Sequence, residues 1–279
     1  MHSWRVTHPN MLQDASLRSQ SIAFGASLFA TEPQVQWRLP KRLREISGLA
    51  LTPDGRVMGH DDELAVIHQI DVDRGEVVKR FSLGDPVLRG DFEGLAISSA
   101  GDFFLTNSTG RIYRFREGDD RSPVAFETFD TELREMGEIE GLAFHQAEGS
   151  VILACKTIHT PALRGALALY AWSPRTPQAP ARPWLTIPVT PLADAVGARS
   201  FHPSSIEIDA RTGRLIVLAA RQNAMVELDS GGMLLAARQL GEHHRQAESA
   251  TILSDGALVI ADEGDKTKAV MTRYARLHD

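Results

Sequence analysis

A short sequence motif recurs five times along the 279-residue chain, and this internal repeat limits the possible folds more than any other feature of the sequence. Each copy has a small or acidic residue, then Gly or Ser, then an alternating apolar run and a polar turn that closes on Gly. The equivalent Gly or Ser positions are 46, 47, 64 and 44 residues apart. Periods in the middle forties are typical of the four-stranded blades of a β-propeller. The five segments are Glu45–Gly55, Asp91–Gly101, Glu138–Gly149, His202–Gly213 and Gln246–Gly256.

Short β-rich runs separated by turn residues fill the repeats and predict four strands for each blade. The last repeat contains only three such runs, whereas Val35–Leu39 supplies one more just before the first repeat. An N-terminal strand that completes the last blade would close the ring and remove exposed sheet edges. The sequence therefore predicts an all-β fold. Residues 35–279 would form one propeller of five four-stranded blades, preceded by a tail over residues 1–34.

A propeller of six blades is the one alternative to this prediction. The 64-residue interval contains a Pro-rich stretch, Pro174–Pro191, which we interpret as a loop insertion rather than a linker between domains. If this interval instead contained a degenerate blade, the propeller would have six blades.

Composition excludes several other classes of protein. The single cysteine, Cys155, rules out an intramolecular disulfide and thiolate zinc sites of the CxxC type, and its place after an apolar strand predicts a buried structural thiol. The net charge of −6 argues against a nucleic-acid groove, and no apolar run is long enough for a transmembrane helix. Ser21–Ala30 loosely resembles the core of an export signal, so residues 1–34 are expected to be either a remnant of such a signal or a packed tail.

The phrases EISGLA, DFEGLAI and EIEGLAF, with ADEG in the last blade, resemble the SdiA-regulated family of YjiK-like and CarP-like β-propellers. The resemblance extends from about Val35 to Leu277. Phytase-like and gluconolactonase-like propellers contain similar phrases, and the similarity to them is weaker. The resemblance implies a bacterial protein of the periplasm or cell envelope that is linked to calcium and regulation. If the N-terminus is not an export signal, a cytoplasmic location is expected instead.

The residue before each repeated Gly or Ser is expected to lie at the rim of the central channel, because the innermost strand of each blade begins there. Three of these five residues are glutamates, and the second strand of each blade brings further Asp and Asn residues back to the same face. Oxygen ligands of this kind suit calcium before magnesium or manganese. Alternatively, the carboxylates accept hydrogen bonds and pair with Lys156 and Arg221 without an ion. The predicted metal ligands are Glu93, Asn107, Glu140, Asp61, Glu248 and Asp262.

Other polar residues on this face are candidates for ligand binding and catalysis. His60 and His202 are candidate general bases because an imidazole titrates near neutral pH. Lys156 and Arg221 would hold an anionic substrate, whereas His243-His244 is expected to be part of a solvated loop. The predicted ligand-binding residues are Glu45, Asp62, Lys156, Ser204, Arg221 and Glu263.

Two function classes follow from these residues. The favoured one is a calcium-binding regulatory propeller that binds a small molecule, a peptide or a protein partner on its acidic channel face. The alternative is a metal-dependent hydrolase, either a phytase-like phosphoesterase or a lactonase, in which the ion polarises an oxygen and activates water. An enzyme would have a deep channel, whereas a binding platform would have a broad, shallow face. In both cases most of the negative charge is expected at one mouth of the channel.

Overall fold

The protein is a five-bladed β-propeller in the computed structural model, which describes residues 26–180, 182–264 and 266–277. These residues form five sheets, so the predicted number of blades is confirmed and the six-bladed alternative is wrong. Strand β1 covers Phe29–Arg38. Blade 1 contains β2 (Ile46–Leu51), β3 (Val57–Asp61), β4 (Val66–Asp71) and β5 (Glu76–Leu83). Blade 2 contains β6 (Phe92–Ile97), β7 (Asp102–Asn107), β8 (Ile112–Arg116) and β10 (Phe126–Phe129), whereas the short β9 (Pro123–Val124), which lies between β8 and β10 in the chain, pairs parallel with β5 at the edge of blade 1.

The other three blades repeat this plan with one addition. Blade 3 contains β11 (Gly137–His145), β12 (Ser150–Ile158), β13 (Ala166–Trp172) and β14 (Leu185–Pro188), followed by helix α1 (Val189–Ala195). Blade 4 contains β15 (Ser205–Ile208), β16 (Leu215–Ala219), β17 (Ala224–Leu228) and β18 (Leu234–Gln239). Blade 5 contains β19 (Ala247–Ile252), β20 (Leu258–Asp262) and β21 (Val270–Arg276), and β1 is its fourth strand. Short 3-10 segments cover Lys41–Leu43, Leu133–Glu135, Pro161–Leu163 and Ala220–Gln222.

The Pro-rich insertion lies between blades 3 and 4. It contains β14, the outer strand of blade 3, and the start of α1, whose Leu192 and Ala193 pack into the core between these two blades. None of the helices among the described residues has the length and the hydropathy needed to cross a membrane.

The N-terminal strand closes the ring as the sequence predicts, but it begins earlier. Strand β1 pairs antiparallel with β21, and it starts at Phe29 rather than at Val35. Leu28 and Phe29 are each 1% exposed in the core between blades 4 and 5, and the backbone N–H of Leu28 donates to the Glu227 carboxylate at 3.0 Å. The tail therefore joins the propeller from about residue 27. Residues 1–25, which include half of the proposed export-signal segment, lie outside the described residues.

The core is divided into layers between neighbouring blades, because each sheet buries both of its faces. Five apolar clusters fill the five interfaces between blades. Phe81 of blade 1 and Phe103 of blade 2, for example, meet edge to face with ring centroids 6.0 Å apart. The ring is therefore stabilised by apolar burial between each blade and the next.

The repeated glycines allow the innermost strands of neighbouring blades to approach each other closely. A β-carbon at Gly94 would lie 2.7 Å from Leu142 Cβ, and one at Gly141 would lie 3.0 Å from the backbone nitrogen of Ile206. Both neighbours belong to the innermost strand of the following blade. The Gly of the repeat is therefore required by the packing of one blade on the next.

Substitution of this glycine should destabilise the whole ring. We expect Gly94→Ala to lower the free energy of unfolding by about 1–3 kcal/mol, because the added methyl group must displace the Leu142 backbone. Gly231→Ala is the matched control, since a β-carbon there meets only the Asp229 carboxylate at 3.3 Å. Urea unfolding of both variants measures the difference. Equal stability of the two variants would contradict this account of the repeat.

Candidate functional site

A β-bulge directs the rim residue of four blades into the channel. The pairing of the first and second strands shifts register between Ile46 and Gly48, and the same shift recurs in blades 2, 3 and 5. One residue of the innermost strand is left without a partner at each shift, and such bulges re-aim side chains. The four extra residues are Ser47, Glu93, Glu140 and Glu248.

These four side chains line one small cavity, which we call the acidic chamber. Its volume is about 150 Å³, and five carboxyl groups face one ammonium group in it. Its lining residues are Ser47, Asp62, Glu93, Glu140, Lys156, Gln246, Glu248 and Glu263. The structure therefore brings together three of the predicted metal ligands and three of the predicted ligand-binding residues.

The one ammonium group compensates only part of this charge. Lys156 Nζ lies 2.6 Å from Glu140 Oε1, so the predicted pairing of Lys156 with a rim glutamate is present. Ser47 Oγ donates to Glu93 Oε2 at 3.5 Å, and the amide of Gln246 donates to Glu263. Burial lowers the pKa of Lys156, but the hydrogen bond to Glu140 and the charges of nearby glutamates outweigh this effect and raise it. Lys156 is therefore charged.

The crowded carboxyl groups hold protons at neutral pH. Burial first, and then the charges of Glu140 and Asp91, raise the pKa of Glu93 to about 9. Burial and the charge of Glu263 raise the pKa of Glu248 to about 8. Burial and the charge of Asp62 raise the pKa of Glu263 to about 7. The chamber thus favours either protons or a bound cation over bare carboxylates.

A second group of acids adjoins the chamber through Asp62. Glu45, Asp61 and Asp62 can place one oxygen each within 4.8 Å of the others. Burial, and then the charges of Asp61 and Glu45, raise the pKa of Asp62 to about 6. Asp62 Oδ1 is buried and has no hydrogen-bond partner among the residues that the structure describes. The carboxylate oxygens of Glu45, Asp61 and Asp62 are ligands of the kind that hard divalent cations prefer.

Two predicted metal ligands are engaged elsewhere. Asn107 Oδ1 accepts hydrogen bonds from Thr109 Oγ1 and from the backbone of Arg111, both at 2.9 Å, and so stabilises a turn. The Asp262 carboxylate accepts from His244 Nδ1 at 2.6 Å, as well as from two backbone N–H groups. The six predicted ligands therefore do not form one coordination sphere. Glu93, Glu140 and Glu248 share the chamber, and Asp61 belongs to the adjoining group.

Two histidines lie in environments that differ from those the sequence predicts. His60 is fully buried against Gly48 rather than on the open face, and burial lowers its pKa to about 4. His244 is also buried, so the expectation of a solvated His243-His244 loop is wrong. The Nε2 atom of His244 forms a hydrogen bond with the hydroxyl of Tyr274, which His243 Nε2 also contacts at 2.7 Å.

Cys155 is buried as expected, and burial raises the pKa of its thiol to about 12.

A basic pocket adjoins the chamber on its other side. Its volume is about 430 Å³, and it shares Lys156, Gln246 and Glu248 with the chamber. His202, Arg221 and Arg245 also line it. Sequence reasoning missed Arg245, although this residue directly precedes the last repeat.

Ser204, a predicted ligand-binding residue of this pocket, has a structural role. Its hydroxyl donates to the Ala247 carbonyl at 2.7 Å and accepts from the Ala220 N–H at 3.1 Å. Because Ala247 belongs to β19, these bonds tie blade 4 to blade 5.

Solved structures with the same fold include several enzymes. A glutaminyl cyclase from Myxococcus xanthus superposes with a TM-score of 0.56 at 12% identity, covering 88% of this chain and 97% of that chain. A luciferin-regenerating enzyme has a TM-score of 0.55 at 10% identity, covering 88% and 96%. A PQQ-bound aldose sugar dehydrogenase from Streptomyces coelicolor has a TM-score of 0.54 at 13% identity, covering 88% and 100%. Identities this low show the fold alone.

No protein-family model matches the sequence, and neither does any curated protein. Membership of the SdiA-regulated family therefore stays a prediction.

Replacing Glu93 by a neutral residue that needs no proton should stabilise the protein at alkaline pH. Folded Glu93 keeps its proton up to about pH 9, whereas the ordinary pKa is 4.5, so its contribution makes stability fall as pH rises between these values. We expect Glu93→Gln to raise the free energy of unfolding by about 1–3 kcal/mol at pH 8, and to change it little at pH 4.5. Thermal and urea unfolding in a chelator-containing buffer measure both values.

Glu117→Gln is the control, and it should change the free energy of unfolding in the opposite direction. Glu117 hydrogen-bonds Arg56 at 2.6 Å and Lys79 at 2.5 Å, and these partners hold its pKa below the usual range. Its loss should therefore destabilise the protein at pH 8. If Glu93→Gln also lowers the free energy of unfolding at pH 8, the crowded carboxyl groups of the chamber do not destabilise the folded protein.

Proposed function

We propose that this propeller binds a divalent cation, calcium in preference to magnesium or manganese, at the acidic mouth of its channel, and a small anionic molecule in the adjoining basic pocket. The observation that carries the proposal is the buried, unpartnered Oδ1 of Asp62 at the junction of two groups of carboxylates. A buried polar atom without a partner is unfavourable, and a cation would satisfy it.

The residues that would hold the ion are Glu45, Asp61 and Asp62. Calcium accepts six to eight oxygen ligands and tolerates irregular arrangements, so three carboxylates leave room for ligands from solvent or from a bound molecule. A bound ion would supply positive charge that lowers the repulsion felt by Glu263 and by the other chamber acids. The acidic chamber is then an electrostatic neighbour of the ion site.

The basic pocket favours an anionic ligand of small-molecule size. Lys156, Arg221 and Arg245 line it together with His202, and its volume of about 430 Å³ is typical of small-molecule sites. Guanidinium groups bind carboxylates and phosphates through paired hydrogen bonds. A pocket of this size supports a small ligand more than a protein partner, which would need a broad face.

Calcium should stabilise the protein and release protons. We expect one equivalent of calcium to bind at pH 8, and a concentration of 100 times Kd to raise the free energy of unfolding by about 2.7 kcal/mol. Binding should weaken at pH 5.5, because Asp62 and the chamber acids then carry protons. Calorimetry and thermal unfolding against an EGTA-treated sample measure both effects.

Asp62→Asn tests the site, and Glu63→Gln is its matched control. Glu63 is the next residue, but its exposed carboxylate lies beside Arg89 at 3.8 Å, outside the acid group. We expect Asp62→Asn to weaken calcium binding at least tenfold and Glu63→Gln to leave it nearly unchanged. Equal calcium binding by both variants would refute the assignment of the ion to this group.

A second candidate function is hydrolysis of an anionic ester or a lactone. His202, Lys156 and Arg221 meet in one pocket with Glu248, which carries a proton at neutral pH and is placed to act as a general acid. His202 would move the second proton, and the two cations would hold the substrate anion. Several solved propellers of this fold are enzymes by name, which supports catalysis on this scaffold without indicating a reaction.

The hydrolase is tested with 4-nitrophenyl phosphate, phytate and gluconolactone, each with calcium, magnesium or manganese. If one is turned over, Arg221→Ala should lower kcat/KM by about tenfold or more, because a charge-assisted hydrogen bond to the substrate is lost. Arg74→Ala is the control, since this arginine is 72% exposed at the side chain and far from the pocket in sequence. If none is hydrolysed while calcium still binds, the protein is a binding propeller.

A further inference from the structure

The opposite end of the central channel forms a second cavity with different chemistry. Its volume is about 380 Å³, and none of its lining residues belongs to the acidic chamber or the basic pocket. The innermost strand of every blade contributes one large apolar residue from an equivalent position of the repeat. This apolar ring consists of Leu51, Ile97, Phe144, Ile208 and Ile252.

Glu207 places a carboxyl group among these apolar side chains. The residue before each ring member is small in four blades, but in blade 4 it is Glu207. Glu207 Oε1 accepts a hydrogen bond from the Ile208 N–H at 2.8 Å, and the Thr251 hydroxyl lies beside the carboxyl group. Burial raises the pKa of Glu207 to about 7. The four equivalent residues are Ala50, Ala96, Ala143 and Thr251.

Two other charged residues, Asp209 and Arg211, also line this cavity. Asp209 is paired with Arg276 at 2.8 Å, so its charge is compensated. Arg211 is exposed, and its Nη2 donates to the Ser254 carbonyl at 3.0 Å. Among the described residues, no basic side chain forms an ion pair with Glu207. The Glu207 carboxyl group therefore has hydrogen-bond donors but no ion-pair partner among the residues that the structure describes.

We propose that this cavity binds a small organic cation, an ammonium group on an apolar body, with the ammonium on Glu207 and the hydrocarbon against the apolar ring. The lining combines the apolar ring with charged and hydroxyl-bearing side chains, and a cavity of this size that offers both apolar and polar groups is the usual form of a small-molecule site. The charge of Glu207 selects a cation, and the ring of five large side chains selects a hydrocarbon. The site goes beyond the function proposed above, because it lies at the other end of the channel and needs no metal.

Three eight-carbon probes that differ only in charge test the site: n-octylammonium, n-octanol and n-octanoate. Calorimetry is done at pH 8 with EGTA, so that the metal site does not contribute. We expect n-octylammonium to bind one to one, at least tenfold more tightly than n-octanoate, with n-octanol between them. Equal affinity for the three probes, or no binding of n-octylammonium, would overturn the proposal.

Two variants and one control test whether the probes bind in this cavity. Glu207→Gln keeps the shape and removes the charge, so it should weaken n-octylammonium binding about tenfold and leave n-octanol unchanged. Ala210→Trp, at an exposed position of the cavity lining, should block all three probes even if Glu207→Gln folds poorly. Glu248→Gln, in the acidic chamber, should leave the binding of all three probes unchanged. If Glu248→Gln weakens n-octylammonium binding while Glu207→Gln does not, the cation binds at the acidic end and the inference fails.

Discussion

The innermost strands of neighbouring blades approach so closely that Gly94 and Gly141 have no room for a β-carbon, and the chemistry of the channel depends on this contact. The residue just before each glycine is the extra residue of a β-bulge, so its side chain turns into the channel. Where that residue is a glutamate, ring closure brings it beside other carboxyl groups at low exposure. The packing of the blades therefore creates the electrostatic strain of the acidic chamber, and a proton or a cation relieves it.

The two ends of the channel carry different chemistry because they come from different positions of one repeat. The bulge positions supply Glu93, Glu140 and Glu248 at one end, where Lys156 neutralises only part of the charge. The ends of the same strands supply large apolar residues at the other end, where the wall also contains the carboxyl groups of Glu207 and of Asp209, the latter paired with Arg276. A single repeated strand thus produces an acidic end and an end with a ring of large apolar side chains.

The blades and the rim carboxylates could be predicted because they depend on local pattern. Alternation along a strand and turn residues at a regular interval locate the strands, and strand β1 was recognised from the missing strand of the last blade. Counting along the second strand was less reliable. It placed Asn107 and Asp262 at the channel, but Asn107 holds a turn and Asp262 holds the His244 segment. These two differences have one cause, since a bulge or a local hydrogen bond redirects a side chain without changing the hydrophobic pattern.

The sequence by itself determined the propeller, its five blades, its closure by the N-terminal strand and the acidic character of one mouth, because repeat period and residue type are properties of the chain. Only the tertiary structure decided which side chains meet. It joined Asp62 to Glu45, placed Arg245 beside Lys156, buried His60 under Gly48 and put Glu207 among apolar residues. Arg245 and Lys156 come from different blades, and so do Glu207 and most of the apolar ring, so these distances follow from the closure of the ring rather than from spacing along any one strand. The contacts of Asp62 with Glu45 and of His60 with Gly48 lie within blade 1, and they depend on the register shift between β2 and β3.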